Sequence, residues 1–142
     1  MKIEKLFIDT SFFVALFNRL DNQHQKAKQI SEKLLVEAPG IFISNFIFSE
    51  TVTVVSQKVD RETAVAAGLK LPSAKTFIYI DSLLQQKSWN IFQKIDKKNI
   101  GFVDCSILAV MAHEDIKWLL TFDGTDFKSL QKPFKFKLYP LG

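Results

Sequence analysis

Apolar runs of three or four residues alternate along this chain with longer stretches whose apolar positions recur every three or four residues. The first pattern predicts short buried strands, the second amphipathic helices. Leu6-Phe7-Ile8 runs into Asp9-Thr10-Ser11, a strand with a carboxylate at its tip and Thr10 or Ser11 opening a helix. That helix is expected over Phe12 to Leu20, with Asp21-Asn22 as its break. A second follows from His24 to Glu37, with Ala27, Ile30, Leu34 and Leu35 spaced for one buried face, and Pro39-Gly40 stops it. Ile41-Phe42-Ile43 is the second strand. Ser44-Asn45 then caps a helix from Phe46 to Lys58, and Asp60 caps another from Arg61 to Lys70.

Phe77-Ile78-Tyr79-Ile80 reads as a third strand, and Asp81 or Ser82 caps a long helix to Lys97 that buries Leu83, Leu84, Ile91, Phe92 and Ile95. Past Asn99-Ile100-Gly101, a very apolar helix spans Val103 to Glu114, and Lys117 to Phe122 is the fourth strand. From Phe134 to Tyr139 the residues alternate Phe, Lys, Phe, Lys, Leu, as an edge strand with one wet face does. Every strand-to-strand connection is long enough for a parallel crossover. The expected fold is therefore α/β, one domain over residues 1–142, with a parallel sheet covered on both faces.

Composition changes this picture little. A chain of 142 residues can bury roughly two-thirds of its unfolded surface without staples. Fourteen phenylalanines point to a thick aromatic core with some to spare for an interface. The single Cys105 allows no internal disulfide and fits a reducing compartment. Apolar stretches are all cut well short of a membrane span, and no signal peptide is evident, so a soluble cytoplasmic protein is expected. The net charge of +4 is carried mostly by lysine, clustered at Lys94-Lys97-Lys98 and along Lys128, Lys132, Lys135 and Lys137. Solvated helix faces, a guarded edge strand and a phosphate-facing surface all account for such clusters.

The acids say more. Asp9 ends strand one, and Glu50 lies in the first turns of the helix after strand two. Asp104 begins the apolar helix, and Asp123 ends strand four. These are strand C-terminal ends or helix N-terminal turns, which a parallel sheet gathers on one edge, where ligands bind. Each has an ordinary structural alternative: Asp9 and Asp104 as helix caps, Glu50 as a dipole partner, Asp123 as a turn-former before Gly124. Their apolar neighbours argue otherwise, since Glu50 is flanked by Ile47, Phe48 and Val52, and Asp104 by Phe102, Val103 and Ile107. Acids sharing one crevice raise each other's pKa values unless a cation neutralises them. Ligation by oxygen alone favours Mg²⁺ or Mn²⁺, and such ions on clustered acids are the usual equipment for hydrolysing a phosphodiester.

Ile8-Asp9-Thr10-Ser11, Ser49-Glu50, Phe102-Val103-Asp104-Cys105 and Leu120-Thr121-Phe122-Asp123, followed by Asp126-Phe127, resemble the PIN domain, in particular the VapC-like toxins of toxin–antitoxin pairs. The resemblance covers the whole chain in order. It implies a parallel sheet of order 3-2-1-4-5 and a Mg²⁺- or Mn²⁺-dependent ribonuclease. It also implies a homodimer inhibited by a small antitoxin. Asp9, Glu50 and Asp104 would be the metal-binding catalytic core and Asp123 the fourth acid, with Thr10 or Ser11 supporting Asp9 through a hydroxyl. This chain departs from the pattern twice. Gly101 stands where a Ser or Thr often precedes the third acid, and the loop after Asp123 is one residue longer, so Asp126 could substitute for Asp123 or assist it.

Other residues carry less. His24 reads as a surface residue, and His113 as a cation at a helix C-terminus. Cys105 reads as a buried thiol, Trp118 as core, and Trp89 as a contact for a dimer or antitoxin. An aspartyl phosphatase would want a second Asp where Ser11 stands, and a phosphoreceiver needs paired acids near strand one. The remaining alternatives are a PIN nuclease that processes RNA without an antitoxin and a non-catalytic PIN-fold RNA- or protein-binding module.

Overall fold

Leu6, Phe7 and Ile8 are almost wholly buried, and so are Leu119 and Leu120 beside them. Strands apolar on both faces belong inside a covered parallel sheet, and that is where the computed structural model, which describes residues 2–140, places them. The strands are β1 (Lys5–Ile8), β2 (Gly40–Ser44), β3 (Thr76–Ile78), β4 (Trp118–Leu120) and β5 (Lys137–Tyr139). Their order is β3-β2-β1-β4-β5 and every pairing is parallel. The expected domain of residues 1–142 includes residues 1, 141 and 142, which lie outside the described residues.

Six longer helices connect and cover the sheet: α1 (Thr10–Phe17), α2 (His24–Glu37), α3 (Asn45–Lys58), α4 (Arg61–Lys70), α5 (Ser82–Lys94) and α6 (Phe102–His113). The expected caps hold. Ser44 Oγ accepts from the Ile47 N–H at 3.3 Å, Asp60 Oδ1 from Thr63 at 2.7 Å and Asp81 Oδ1 from Leu84 at 2.9 Å. Each satisfies an N-terminal donor that the helix itself cannot. Trp118 is core, as expected, and Cys105 is fully buried.

Several boundaries differ from expectation, for local reasons. Helix α1 stops at Phe17 rather than Leu20, because the Asn18 side chain accepts from the Leu20 N–H at 3.1 Å and turns the chain. Leu35 does not join the buried face of α2 and is 80% exposed. Helix α5 ends at Lys94, three residues early, where Ile95 takes an extended conformation. Only Leu84 of its five expected core residues is buried, while Leu83 and Phe92 are exposed and Ile91 and Ile95 are partly buried. Strand β4 ends at Leu120: the Thr121 N–H still bonds the Tyr139 carbonyl, but Phe122 donates to Ser11 Oγ and Asp123 to Thr121 Oγ1. The expected edge strand from Phe134 to Tyr139 forms only over its last three residues, because Phe134 still closes a short helix and Lys135 turns the chain in a left-handed conformation. Residues 124–134 form α7 (Gly124–Phe127), a 3₁₀ turn (Lys128–Leu130) and α8 (Gln131–Phe134), with β5 confined to the last three residues at the sheet edge. Phe127 and Leu130 anchor that segment in the core.

Candidate active site

Register builds the centre of the site. Phe7 and Ile8 pair with Leu119 and Leu120, so the next residues, Asp9 and Thr121, come side by side past the strand ends. The Asp9 N–H still bonds the Leu120 carbonyl at 2.9 Å. Its carboxylate is 4% exposed and takes three hydrogen bonds. Oδ1 accepts from the Thr10 N–H at 2.8 Å, and Oδ2 from Thr121 Oγ1 at 2.8 Å and Ser11 Oγ at 3.3 Å. Asp9 is thus also the cap of α1. The neighbouring hydroxyl that braces it comes from Ser11 in the first turn of α1, since the buried Thr10 Oγ1 has no partner.

Thr121 is the residue that sequence reasoning passed over. Its hydroxyl donates to Asp9 and accepts the Asp123 N–H at 2.9 Å, tying the first acid to the backbone of the fourth. Ser11 repeats the pattern one residue away, accepting from the Phe122 N–H at 3.0 Å. The signal was present in Leu120-Thr121-Phe122-Asp123, one residue past an apolar strand, but only the register shows which residue it faces.

Asp9, Glu50, Asp104, Asp123 and Asp126 all line one cleft of about 530 Å³ at the C-terminal edge of the sheet. Asp21 and Lys58, which sequence reasoning did not associate with these acids, line it too, as does Asn99. Glu50 is set by α3, whose start is pinned where Asn45 Oδ1 accepts the Ile80 N–H at 2.7 Å. Asp104 sits in the first turn of α6. Gly101 supplies no capping hydroxyl, but Asp104 Oδ2 accepts the Gly101 N–H at 2.9 Å and closes that turn from inside. Asp126 is held by the Asn99 amide, which donates to its Oδ1.

Electrostatics ties these groups together. Burial pushes the Asp9 carboxyl up to about 7, opposed by the Thr121 hydrogen bond and reinforced by the charges of Asp104 and Asp123. Asp104 is raised by burial first, then by Glu50, Asp123 and Asp126, against the Gly101 hydrogen bond. Asp123, exposed at the rim, is raised by partial loss of water and then by Asp126 and Glu50. The acids therefore share one field. They do not converge on one point: among the described residues, no three His, Cys, Asp or Glu side chains are close enough to form a metal site as they stand.

Three residues stand outside this group of acids. Burial, then the Asp104 charge, pushes the Cys105 thiol up to about 11, so it stays protonated at neutral pH. His24 is part-buried rather than a free surface residue, its Nδ1 bonding the Ala15 carbonyl at 2.8 Å and joining α2 to α1. His113 ends α6, beyond the opposite edge of the sheet.

A five-stranded parallel sheet with acids at the tip of its central strand and in the first turns of the flanking helices is the PIN-domain arrangement. Residues 6–133 match the PIN domain, and the chain belongs to that family. It is 30% identical over 125 residues to the 23S rRNA-specific endonuclease VapC20 of Mycobacterium tuberculosis, which covers 87% of this chain and 92% of that protein. The crystal structure of that VapC20, described as a sarcin–ricin loop cleaving toxin, superimposes with a TM-score of 0.76 at 28% identity, over 87% of this chain and 94% of that one. VapBC2 from Rickettsia felis, solved bound to a DNA fragment from its promoter, matches with a TM-score of 0.69 at 19% identity, over 94% of this chain and 96% of that one. At that identity the likeness shows the fold alone. No helix among the described residues is long and apolar enough to cross a membrane.

Proposed function

We propose that this chain is a Mg²⁺- or Mn²⁺-dependent endoribonuclease and the toxin of a toxin–antitoxin pair. The observation that carries the reading is Asp9: a carboxylate 4% exposed, at the tip of the central strand, under the charges of Asp104 and Asp123. A fold has no structural use for so costly a group, because a simple helix cap works as well at the surface, as Asp60 does. The likeness to VapC20 supports the same chemistry, and it makes a ribosomal RNA loop the first substrate to test.

The donor set fits a hard divalent cation. It consists of carboxylate oxygens alone, and each raised pKa marks a charge that a cation would balance. Asp9 and Asp104 would hold the ion, with Glu50 and Asp123 completing the set and Asp126 able to replace or assist Asp123. When bound, the ion supplies an activated water at neutral pH and offsets charge on the attacked phosphate. The chain's own residues do the rest. Thr121, Ser11 and the Thr10 N–H fix both oxygens of Asp9, so the carboxylate is oriented before anything binds. The Gly101 N–H does the same for Asp104. The cleft is open, which suits a flexible single-stranded or looped RNA.

Leu20, Val36, Leu69 and Leu83 are more than half exposed, and Trp89 stacks on Phe92 at the surface of α5. This uncovered apolar area is surface for a homodimer and for a small antitoxin, the assemblies proposed here. RNA cleavage tests the reading. Cleavage should require Mg²⁺ or Mn²⁺, stop in excess EDTA, and fall by about a thousandfold or more in Asp9→Asn with the circular dichroism spectrum unchanged. Undiminished cleavage in EDTA or by Asp9→Asn would overturn it.

A further inference from the structure

Beside the carboxylate cleft lies a second one of opposite character. It has a volume of about 490 Å³ and shares Gln23 and Phe122 as a common wall with the first. No acid lines it; its charged residues are Lys26 from α2 and Lys128 from the 3₁₀ turn, and Thr121, Thr125 and Gln131 are among its other lining residues. Both lysines rise from fixed backbone. Ala27, next to Lys26, is wholly buried, and Phe127, next to Lys128, is 1% exposed. Lys26 Nζ stands 5.9 Å from the centre of the Phe122 ring, which holds its ammonium at the boundary between the clefts.

That juxtaposition answers a difficulty in the proposed reaction. RNA is a polyanion, and the carboxylate cleft repels every phosphate that a bound cation does not directly face. A strand laid across such a cleft needs cations immediately beside it. Lys26 and Lys128 stand there, while the amides of Gln23 and Gln131 and the Thr125 hydroxyl offer the mixed donors and acceptors that suit base edges and a ribose 2′-hydroxyl. We propose that this second cleft is a nucleotide subsite, in which Lys26 and Lys128 hold the phosphate of an RNA residue adjoining the cleaved one. The proposal rests on the ribonuclease reading and names where its substrate is gripped.

The test measures binding of a fluorescein-labelled 12-nucleotide single-stranded RNA to the Asp9→Asn protein over a range of salt, with and without Lys26→Gln/Lys128→Gln. Cleavage of the same RNA in Mn²⁺ by the otherwise unaltered protein runs alongside. Loss of both lysines should weaken binding by about tenfold and lower the salt slope by roughly 0.7 to 1.4. It should also raise KM more than it lowers kcat. Lys26→Arg/Lys128→Arg should retain affinity. Lys87→Gln/Lys117→Gln, which removes two charges from the opposite end of the strands, should leave affinity and slope within twofold of the parent.

Equal loss in that control pair would mean that only overall charge matters, and would overturn the subsite. So would unchanged affinity and slope in the Lys26/Lys128 variant, or RNA binding by neither protein. If the variant binds RNA normally but no longer binds a poly-glutamate peptide that the parent binds, the cleft serves an acidic protein segment, and the RNA proposal is overturned. Failure of the subsite leaves Mn²⁺-dependent cleavage intact in both lysine variants. Failure of the ribonuclease reading removes it from the parent itself.

Discussion

Two acidic residues hang on one hydroxyl, and their carboxylates live in different media. Thr121 donates to Asp9 and accepts from the backbone of Asp123. Yet Asp9 is buried at the tip of the central strand, while Asp123 stands exposed before a four-residue helix. The buried corner is over-determined: three donors meet its two oxygens, and the sheet fixes its backbone. The rim is held by few bonds, with Asp126 tied to Asn99 and Asp123 bonded through its backbone, its N–H to Thr121 and its carbonyl to the Asp126 N–H. The same charge therefore costs far more at the first place than at the second. In the proposed reaction the fixed cation would belong to the buried corner, and adjustment to a substrate to the rim.

The largest way to break that contrast is through pH without metal. The Asp9 carboxyl moves from 3.8 to about 7 on folding, so the folded state holds a proton that the unfolded state has released. Stability from that group is fully present below pH ~4 and is lost as the pH rises through ~7, on the order of 4 kcal/mol in all. Asp104 and Asp123 are raised too and act in the same direction. Urea unfolding of the metal-free protein should show higher stability at pH 5 than at pH 8. Asp9→Asn should remove most of the difference, and Asp104→Asn should reduce it while stabilising the metal-free protein at pH 8. A protein more stable at pH 8 than at pH 5 would mean the buried corner is not strained by charge.

The next effect concerns the shared hydroxyl. Thr121→Val keeps the shape and deletes the donor, so cleavage should fall about 10- to 100-fold. Losing a bond that favours the ionised form should also move the acidic limb of the pH–rate profile upward. Thr121→Ser should restore both, and a loss of rate with no shift in the limb would reduce Thr121 to a packing role. The smallest effect separates the two rim acids. Asp123→Asn should cost several-fold more activity than Asp126→Asn, because one Asp126 oxygen is already engaged by Asn99. The reverse order would make Asp126 the fourth acid.

How much of this the chain announces depends on the kind of signal. The tip of β1 was plain, because three buried residues ending in an acid read the same way on any face of a sheet. The caps at Ser44, Asp60 and Asp81 were plain too, since capping is local chemistry. Residues 124–134 are not, because helices of four residues are too short to show a period, and the Phe-Lys alternation from Phe134 carries a strand only over Lys137–Tyr139. The burial of α5 is illegible for a different cause. Leu83 and Phe92 look like core in isolation, but α5 packs on α6 with Leu84 and Ser88 buried and Ile91 and Ile95 partly so, which leaves Leu83 and Phe92 to solvent. Thr121 escaped notice because its role comes from a partner 112 residues away, which only strand register supplies. The same holds for the lysine cleft, whose two charges come from α2 and the 3₁₀ turn.

One measurement goes to the centre of the account: thermal melting at pH 7.5 with and without Mn²⁺, for the parent protein and for Asp9→Asn. If Asp9 is the buried anchor of a cation site, Mn²⁺ at roughly 100 times its Kd should raise the parent's Tm by about 5 to 10 °C. The same Mn²⁺ should leave the Tm of Asp9→Asn nearly unchanged. An equal rise in both proteins, or none in the parent, would contradict it.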